Sequence, residues 1–372
     1  MKAAILTNRA DSFNKPMAEG LSRMLTKVGV ESTVLYDGLA ALPRKQVTGC
    51  VSLADWKGKM RNVVKQAEAW SSYRRLLHDL RNVDFAVIVE TLPGAFRESF
   101  FDDDRLRQDV PHLPIILYDV IYLATRPYWA KWLLENNAAK VGAKGRHWGL
   151  DRYDYLLCAT EISEDPVPTG ADKFSAIGIN FEDPSLFVES NKPFMALIDF
   201  EQAEQLPERA IQVLACIEAD VPFKVLHGRY SIADIRAIYR RASVYFLASR
   251  ESFGLPVCEV QACGALVLTP YPDWCPSHYL ERPSDGIGRL PKNFIVYNND
   301  LRWLIHELKR LKKDHDPQKT FANFMSEQPH FYSGNIAELG RFVDLVKNGE
   351  VTSQSHKLYP NLGQLVRLRG SC

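Results

Sequence analysis

The sequence has no apolar run close to the roughly 20 residues that a membrane-spanning helix needs, so we expect no transmembrane segment. It also has almost no net charge, because 46 lysines and arginines are balanced by 45 aspartates and glutamates. This balance provides no overall attraction to nucleic acid or to an anionic membrane. We therefore expect no nucleic-acid partner and, at most, a peripheral contact with a membrane.

Cysteines are few and scattered, with seven in 372 residues and no Cys-x-x-Cys pair. The first residues pass directly into an apolar run and lack the charged and long apolar regions of a secretory signal. An odd number of cysteines in such a chain indicates reduced thiols and a cytoplasmic location. Cys258, Cys263 and Cys275 precede His278, but their spacing fits no common zinc pattern, and we expect no metal site.

Short apolar runs alternate with amphipathic segments along the chain, which predicts parallel βαβ units. The runs expected to form strands in the first half are Ala3–Leu6, Val34–Tyr36, Phe85–Val89, Ile115–Tyr118, Tyr155–Ala159 and Phe174–Ile177. Those of the second half are Phe194–Ile198, Phe223–Leu226, Val244–Ala248, Ala265–Thr269 and Phe294–Tyr297. A chain of 372 residues can bury two cores, so the two sets predict two doubly wound, Rossmann-like α/β domains.

The polar segment between Glu182 and Pro193, with prolines near its ends, is the best candidate for the hinge between these domains. We predict an N-terminal domain over residues 1–182 and a C-terminal domain over residues 190–330. An amphipathic helix at about 330–347 is expected to pack back on the first domain, and residues 350–372 are expected to form a tail.

The segment from Ser249 to Gly264 carries the strongest chemical signal in the sequence. It follows one apolar strand and precedes another, with Pro256 placed for the first turn of a helix and Gly264 for its end. The prediction is therefore a strand, a loop, a short helix and a strand. Ligands of open α/β sheets bind beyond the carboxyl ends of the strands, and Glu251 lies on this loop.

Two features of the segment suit a nucleotide. Gly254 and Leu255 are expected to expose amides at a helix N-terminus, which favours an anion such as a pyrophosphate, and Gly254 permits close approach. Glu259 falls near the first turn, where its carboxylate can accept both hydroxyls of a ribose. The alternative is that Glu251 and Glu259 are solvated charges around an ordinary turn; the complete pattern, rather than the spacing, favours a function. Neither side chain is expected in the core, so both alanine variants should remain folded.

The segment resembles the E-x7-E motif of family-4 retaining glycosyltransferases, and the matching residues are Glu251, Phe253, Gly254, Leu255, Pro256, Glu259 and Gly264. The resemblance implies the GT-B fold, in which two Rossmann-like domains face each other across a cleft, with an acceptor domain first and a donor domain second. It implies that Glu251 is catalytic and contacts the donor sugar, while Glu259 binds the nucleotide ribose. Ser252, Phe253, Gly254 and Leu255 complete the expected donor loop.

One departure from the family pattern concerns the pyrophosphate. The family's basic Gly-Arg-x4-Lys-Gly loop is absent, and the corresponding segment, Ile198–Gln205, is acidic. Other cations must then meet the phosphate charge, and the candidates are Arg229, Arg250 and Lys224, each of which has a solvated surface position as its alternative. Asp119 follows an apolar run and is the candidate on the acceptor side, with a helix N-cap as its alternative.

The predicted reaction is transfer of a hexosyl group from a UDP-sugar or GDP-sugar to a saccharide or another hydroxyl acceptor, as in polysaccharide biosynthesis. The resemblance implies retention of configuration by a front-face route that needs no general base. No Asp-x-Asp triplet lies at a strand end, so we expect no metal and no cofactor; Asp102, Asp103 and Asp104 lie in a charged loop. The alternatives are a non-catalytic GT-B protein that binds nucleotide or serves as a scaffold, and an epimerase or phosphorylase on the same fold.

Overall fold

A computed structural model of the chain describes residues 1–7, 14–36, 70–90, 105–119, 153–159, 174–200, 205–251, 253–281 and 287–355. All pairs between the described strands are parallel. The strands are β1 (Lys2–Thr7), β2 (Glu31–Tyr36), β3 (Phe85–Glu90), β4 (Ile115–Asp119), β5 (Tyr155–Cys158), β6 (Phe174–Ala176), β7 (Ala196–Ile198), β8 (Phe223–Val225), β9 (Val244–Phe246), β10 (Leu266–Thr269) and β11 (Phe294–Val296).

Helices connect these strands and close the chain. They are α1 (Asn14–Lys27), α2 (residues 70–80), α3 (Arg105–Asp109), α4 (Leu206–Glu218), α5 (Ile232–Arg241), α6 (Leu255–Ala262), α7 (Leu301–Asp314), α8 (Pro317–Glu327), α9 (Pro329–Tyr332) and α10 (Ile336–Lys347). Side-chain caps fix several starts: Ser231 accepts from the amide of Asp234 before α5, and Asp300 accepts from the amide of Trp303 before α7. None of the described helices has the length and apolarity needed to cross a bilayer.

The strands form two sheets that belong to two compact units. The first sheet has the order β2-β1-β3-β4-β5-β6, and the second has the order β8-β7-β9-β10-β11. Of the described residues, unit 1 holds those up to Ala159, those from Phe174 to Ile177 and those from Ile336 onward, whereas unit 2 holds those from Gly178 to Asn335. The chain therefore enters the second unit at Gly178, four residues before the start of the predicted hinge.

Helix α10 follows unit 2 in sequence but belongs to unit 1. Its Phe342 packs edge-on against Phe85, with the ring centroids 5.5 Å apart, and lies 5.1 Å from the ring of Tyr155. Arg341 Nη2 also donates a hydrogen bond to Ser175 Oγ at 2.8 Å. Apolar and polar contacts together hold this helix on the first sheet.

The inner strands β7 and β9 of the second sheet are short and buried on both faces. Every residue of β7 and β9 is buried, as a parallel sheet covered by helices requires. Its strand order is that of a doubly wound fold with one reversal, because the chain runs from β7 to β8 on one side and returns to β9 on the other. Ligands of such folds bind beyond the carboxyl ends of the strands at this reversal, which here lies between β7 and β9.

Candidate functional site

The loop between β9 and α6 leaves the sheet at this reversal. Gly254 ends the loop as the N-cap of α6, with φ 60° and ψ 106°, a conformation that residues with side chains rarely adopt. A Cβ atom at this position would lie 2.5 Å from Glu251 Cγ and 2.8 Å from Val257 Cγ2. The glycine therefore allows the side chain of Glu251 to lie directly against the start of the helix.

The first turn of α6 has amides that lack acceptors within the described residues. The N–H groups of Val257 and Cys258 both donate to the carbonyl of Gly254, and Pro256 has no N–H. The N–H groups of Gly254 and Leu255 have no acceptor in the part of the chain that the structure describes. Both residues are buried, whereas the sequence predicted exposed amides. Unpaired amides at a helix N-terminus attract an anion.

Glu259 is buried in the second turn of α6, with 8% of its surface exposed. Arg236 on α5 is also buried, and its Nε donates to Glu259 Oε1 at 2.9 Å while its Nη2 lies 2.8 Å from the same oxygen. Nη1 of Arg236 donates to Asp183 Oδ2 at 2.7 Å and to Ser185 Oγ at 2.8 Å. Two carboxylates thus share one buried guanidinium, and the expectation that Glu259 lies outside the core is wrong.

This ion pair engages only one oxygen of Glu259. Both contacts with Arg236 are made by Oε1, and no residue in the described ranges donates to Oε2. Burial raises the pKa of Glu259 above its ordinary value, and the guanidinium of Arg236 opposes that shift. Burial alone would also raise the pKa of Asp183, but hydrogen bonds from Ser185 and the charge of Arg236 together lower it. Glu259 therefore has one anchored oxygen and one that can accept from a ligand.

His278 lies beneath the loop and is fully buried. Its ring stacks on Phe253, with the centroids 5.8 Å and the planes 3° apart. Nε2 lies 2.5 Å from the carbonyl oxygen of Phe253, and Nδ1 lies 2.9 Å from Gln328 Nε2. Because a carbonyl only accepts and an amide nitrogen only donates, these partners assign the proton to Nε2. Burial lowers the pKa of His278 to about 4, so the ring is neutral at pH 7.

We expect the protein to lose stability in mild acid because of His278. Its pKa of about 4 in the folded chain lies below the ordinary value of 6.5, so between these values the unfolded chain binds a proton that the folded chain does not. The contribution is complete at pH 7.5 and falls by about 2 kcal/mol by pH 5. Urea unfolding at both pH values measures the loss, and His278→Phe should show a smaller pH dependence than the parent. An unchanged dependence would contradict a neutral histidine.

Two polar side chains that the sequence analysis missed hold the edge of the sheet. Arg209 on α4 is buried, and its Nη2 donates to the carbonyl of Asp199 at the end of β7, at 2.6 Å. Gln212, three residues later, donates from Nε2 to the carbonyl of Leu247 after β9, also at 2.6 Å. Arg209 brings a positive charge to the edge where the family's basic loop is absent. The sequence does contain a signal for their burial, because both residues lie on the face of α4 that also carries the buried Ala215 and Cys216.

The other residues that the sequence predicts at the donor and acceptor sites lie in different parts of the structure. Arg250 is exposed beside Glu251, and Arg229 is exposed in the loop after β8, at the same carboxyl edge of the sheet. Lys224 Nζ lies over a tyrosine ring, 5.6 Å from its centroid. Asp119 is the last residue of β4 in unit 1, and its side chain lies outside the description, as does all of Ser252.

No group of three or more histidine, cysteine, aspartate or glutamate side chains is arranged to hold a metal ion within the described ranges. Cys258, Cys263 and Cys275 are buried free thiols, and both ring nitrogens of His278 are already hydrogen-bonded. In the described structure, these residues are therefore not arranged as a set of zinc ligands. The aspartate run at 102–104 lies outside the described residues.

Replacement of Gly254 tests the start of α6. We expect Gly254→Ala to lower the free energy of unfolding by about 2–4 kcal/mol, from backbone strain and from the clash with Glu251 and Val257. The matched control is Gly228→Ala, because Gly228 has φ +72° but nothing within 4 Å of its added Cβ. The control should cost only about 1–2 kcal/mol from strain alone. Urea unfolding compares the two variants, and equal losses would argue against tight packing at Gly254.

Solved structures match the fold, although no protein-family model and no curated protein matches the sequence. One is an alpha-glucosyltransferase in complex with UDP and a 13-mer DNA containing a HMU base, with TM-score 0.55 and 11% identity over 93% of this chain and 99% of that one. An alpha-glucosyltransferase in complex with UDP matches with TM-score 0.55 and 11% identity over 93% and 100% of the two chains. The chain has the GT-B fold. This confirms the predicted fold class of two Rossmann-like domains.

The calicheamicin glycosyltransferase CalG4 is a more distant GT-B match, with TM-score 0.41 and 14% identity over 93% of this chain and 98% of that one. At such low identities the comparisons establish the architecture alone.

Proposed function

We propose that this chain transfers a sugar from a nucleoside-diphosphate sugar to a hydroxyl acceptor. The observation that carries the proposal is the start of α6, where three groups suited to a donor occur within nine residues. They are the unpaired amides of Gly254 and Leu255, the carboxylate of Glu251, and Oε2 of Glu259, to which no described residue donates. This segment leaves the sheet beside the strand-order reversal, where doubly wound folds bind their ligands. The GT-B fold supports the same reaction class, because matching structures include glycosyltransferases in complex with UDP.

Each part of the donor has a matching group in this segment. The amides of Gly254 and Leu255 suit the diphosphate, since a helix N-terminus stabilises negative charge. Oε2 of Glu259 suits a ribose hydroxyl, while Arg236 holds the other oxygen and so fixes the carboxylate. Glu251 lies against Gly254 and hence next to the diphosphate, which suits contact with the sugar.

The reaction breaks the bond between the anomeric carbon and the diphosphate oxygen and forms a bond from that carbon to the acceptor oxygen. In a front-face route the leaving phosphate takes the acceptor's proton, so configuration is retained and no general base is needed. Charge develops on the leaving phosphate, and the helix N-terminus together with Arg209 at the sheet edge would stabilise it. The proposal assigns no metal and no cofactor to this step.

A nucleotide-binding protein without transferase activity is the second candidate. The acidic segment Ile198–Gln205 favours it, because the absence of the family's basic loop leaves fewer cations to stabilise charge on the leaving phosphate. The two candidates differ in turnover and not in affinity, since a scaffold on this fold can bind UDP or GDP and still release no product.

Release of nucleoside diphosphate tests the proposal directly. The chain is incubated with UDP-sugars and GDP-sugars together with hydroxyl acceptors, including saccharides and, because one matching structure contains it, DNA with a HMU base. We expect release that depends on one donor and one acceptor class and that survives EDTA. Binding without release would support the scaffold, and loss with EDTA that manganese restores would overturn metal independence.

A further inference from the structure

His278 does more than fill the core beneath the donor loop. We infer that His278 is a positioning residue, which orients the peptide between Phe253 and Gly254 so that its amide faces the donor's sugar-proximal phosphate. The inference rests on the proposed function and deepens it. His278 is not proposed to contact the donor. It acts through the peptide between Phe253 and Gly254, because its ring donates a hydrogen bond to the carbonyl of that peptide.

The geometry of one peptide links His278 to the amide. A trans peptide is planar, and its carbonyl and N–H point in opposite directions. The carbonyl of Phe253 points at the buried Nε2 of His278, so the N–H of Gly254 points away from that ring. Glu251 Cγ lies on the Gly254 side of the loop, so this amide is at the sugar end of the proposed donor. The phosphate nearest to it is therefore the sugar-proximal one, whose oxygen loses its bond to the anomeric carbon.

The histidine is itself held on all sides. Gln328 donates to Nδ1, which keeps the proton on Nε2 and therefore on the side of the loop. Phe331 packs edge-on against the ring at 5.1 Å between centroids, and Phe294 lies at 5.0 Å. Gln328 is the N-cap residue of α9, so the residue that fixes the tautomer adjoins the helix that carries Phe331.

A hydrogen bond is needed here because the backbone of Gly254 alone does not fix the orientation of the peptide that precedes it. Glycine adopts left-handed and right-handed conformations with similar ease, so the peptide before it can rotate unless its carbonyl is held. Aromatic stacking between Phe253 and His278 fixes the ring of Phe253 but not the direction of its carbonyl. Stacking therefore fixes the position of the Phe253 ring, whereas the hydrogen bond fixes the direction of the Phe253 carbonyl.

The test compares His278→Phe, which keeps the stack and removes the hydrogen bond, with His278→Gln, which restores a donor. The control is His315→Phe, which changes another histidine of unit 2 that packs on Phe194. Calorimetry measures the affinities for UDP, UMP, GDP and GMP. We expect His278→Phe to lose about tenfold in affinity for the diphosphate that the parent prefers and little for the monophosphate, and His278→Gln to recover most of the loss. The control should leave the diphosphate-to-monophosphate ratio unchanged.

Equal losses for the diphosphate and the monophosphate would indicate a structural role and overturn the inference, as would no loss at all. A parent that binds neither diphosphate would refute the proposed function, and the inference with it. Amide exchange of residues 249–258 in the ligand-free protein separates these cases. His278→Phe should exchange faster there and the control should not; unchanged exchange would show that His278 does not hold the loop. If His278→Phe fails to fold, Gln328→Leu is measured with the same expected direction.

Discussion

Arg236→Ala is expected to lower the free energy of unfolding by about 3–5 kcal/mol. The substitution leaves Asp183 and Glu259 as carboxylates without their counter-charge in a poorly hydrated site. Arg236 exposes only 4% of its surface, so solvent cannot replace the lost partner. Urea unfolding of the parent and the variant at pH 7.5 measures the difference.

Arg241→Ala is the matched control, because Arg241 lies on the same helix but is exposed. Surface substitutions of this kind stay within about 0.5 kcal/mol of the parent. A loss at Arg236 no greater than that of the control would mean that the buried ion pairs are not formed in solution. The same experiment predicts that Glu259→Ala is destabilising, since it leaves Arg236 with one carboxylate in place of two. Glu259→Gln also removes one carboxylate, but it keeps an amide oxygen that can accept from Arg236, so it is the variant suited to binding studies.

Glu251→Ala is expected to reduce turnover of the nucleotide sugar by about a hundredfold or more while leaving the affinity for the bare nucleotide nearly intact. Glu251 is proposed to meet the sugar, and contacts that strengthen only in the transition state change the rate and not ground-state binding. Glu259→Gln should behave in the opposite way and weaken nucleotide binding by about tenfold, because it replaces a charge-assisted hydrogen bond to the ribose by a neutral one.

The comparison of the two variants locates the donor. Calorimetry gives nucleotide affinities and initial rates give turnover, with Glu218→Ala as a control because Glu218 is exposed at the end of α4. The control should match the parent in both measurements. Equal effects of Glu251→Ala and Glu259→Gln on nucleotide affinity, or no effect from either, would mean that the donor lies elsewhere.

Much of the fold could be predicted from apolar runs, because strands of a covered parallel sheet are apolar throughout. The run Val244–Ala248 contains β9, and the run Ala265–Thr269 contains β10. Helix α7 was missed although Leu304, Leu308 and Leu311 form one buried face. Apolar side chains recur there every three to four residues, which is the spacing of an amphipathic helix.

The details of the site could not be predicted in the same way, because they depend on contacts between distant segments. Arg236 and Glu259 are 23 residues apart, and Arg236 and Asp183 are 53 apart. The resemblance to the E-x7-E motif implies that Glu259 binds the nucleotide ribose, but the motif contains nothing about the guanidinium that anchors its carboxylate. His278 likewise acquires its role from Gln328, which is 50 residues away. Such pairs arise only when helices pack on the sheet.

Amide exchange with and without nucleotide tests the central claim most directly, because it reports where the nucleotide binds without any substitution. The 372-residue chain is exposed to deuterated buffer alone, with UDP, and with GDP, and peptides across the chain are compared. We expect the preferred nucleotide to slow exchange in residues 249–259, at the loop and first turns of α6. Binding with protection confined to other segments, or no binding of either nucleotide, would contradict it.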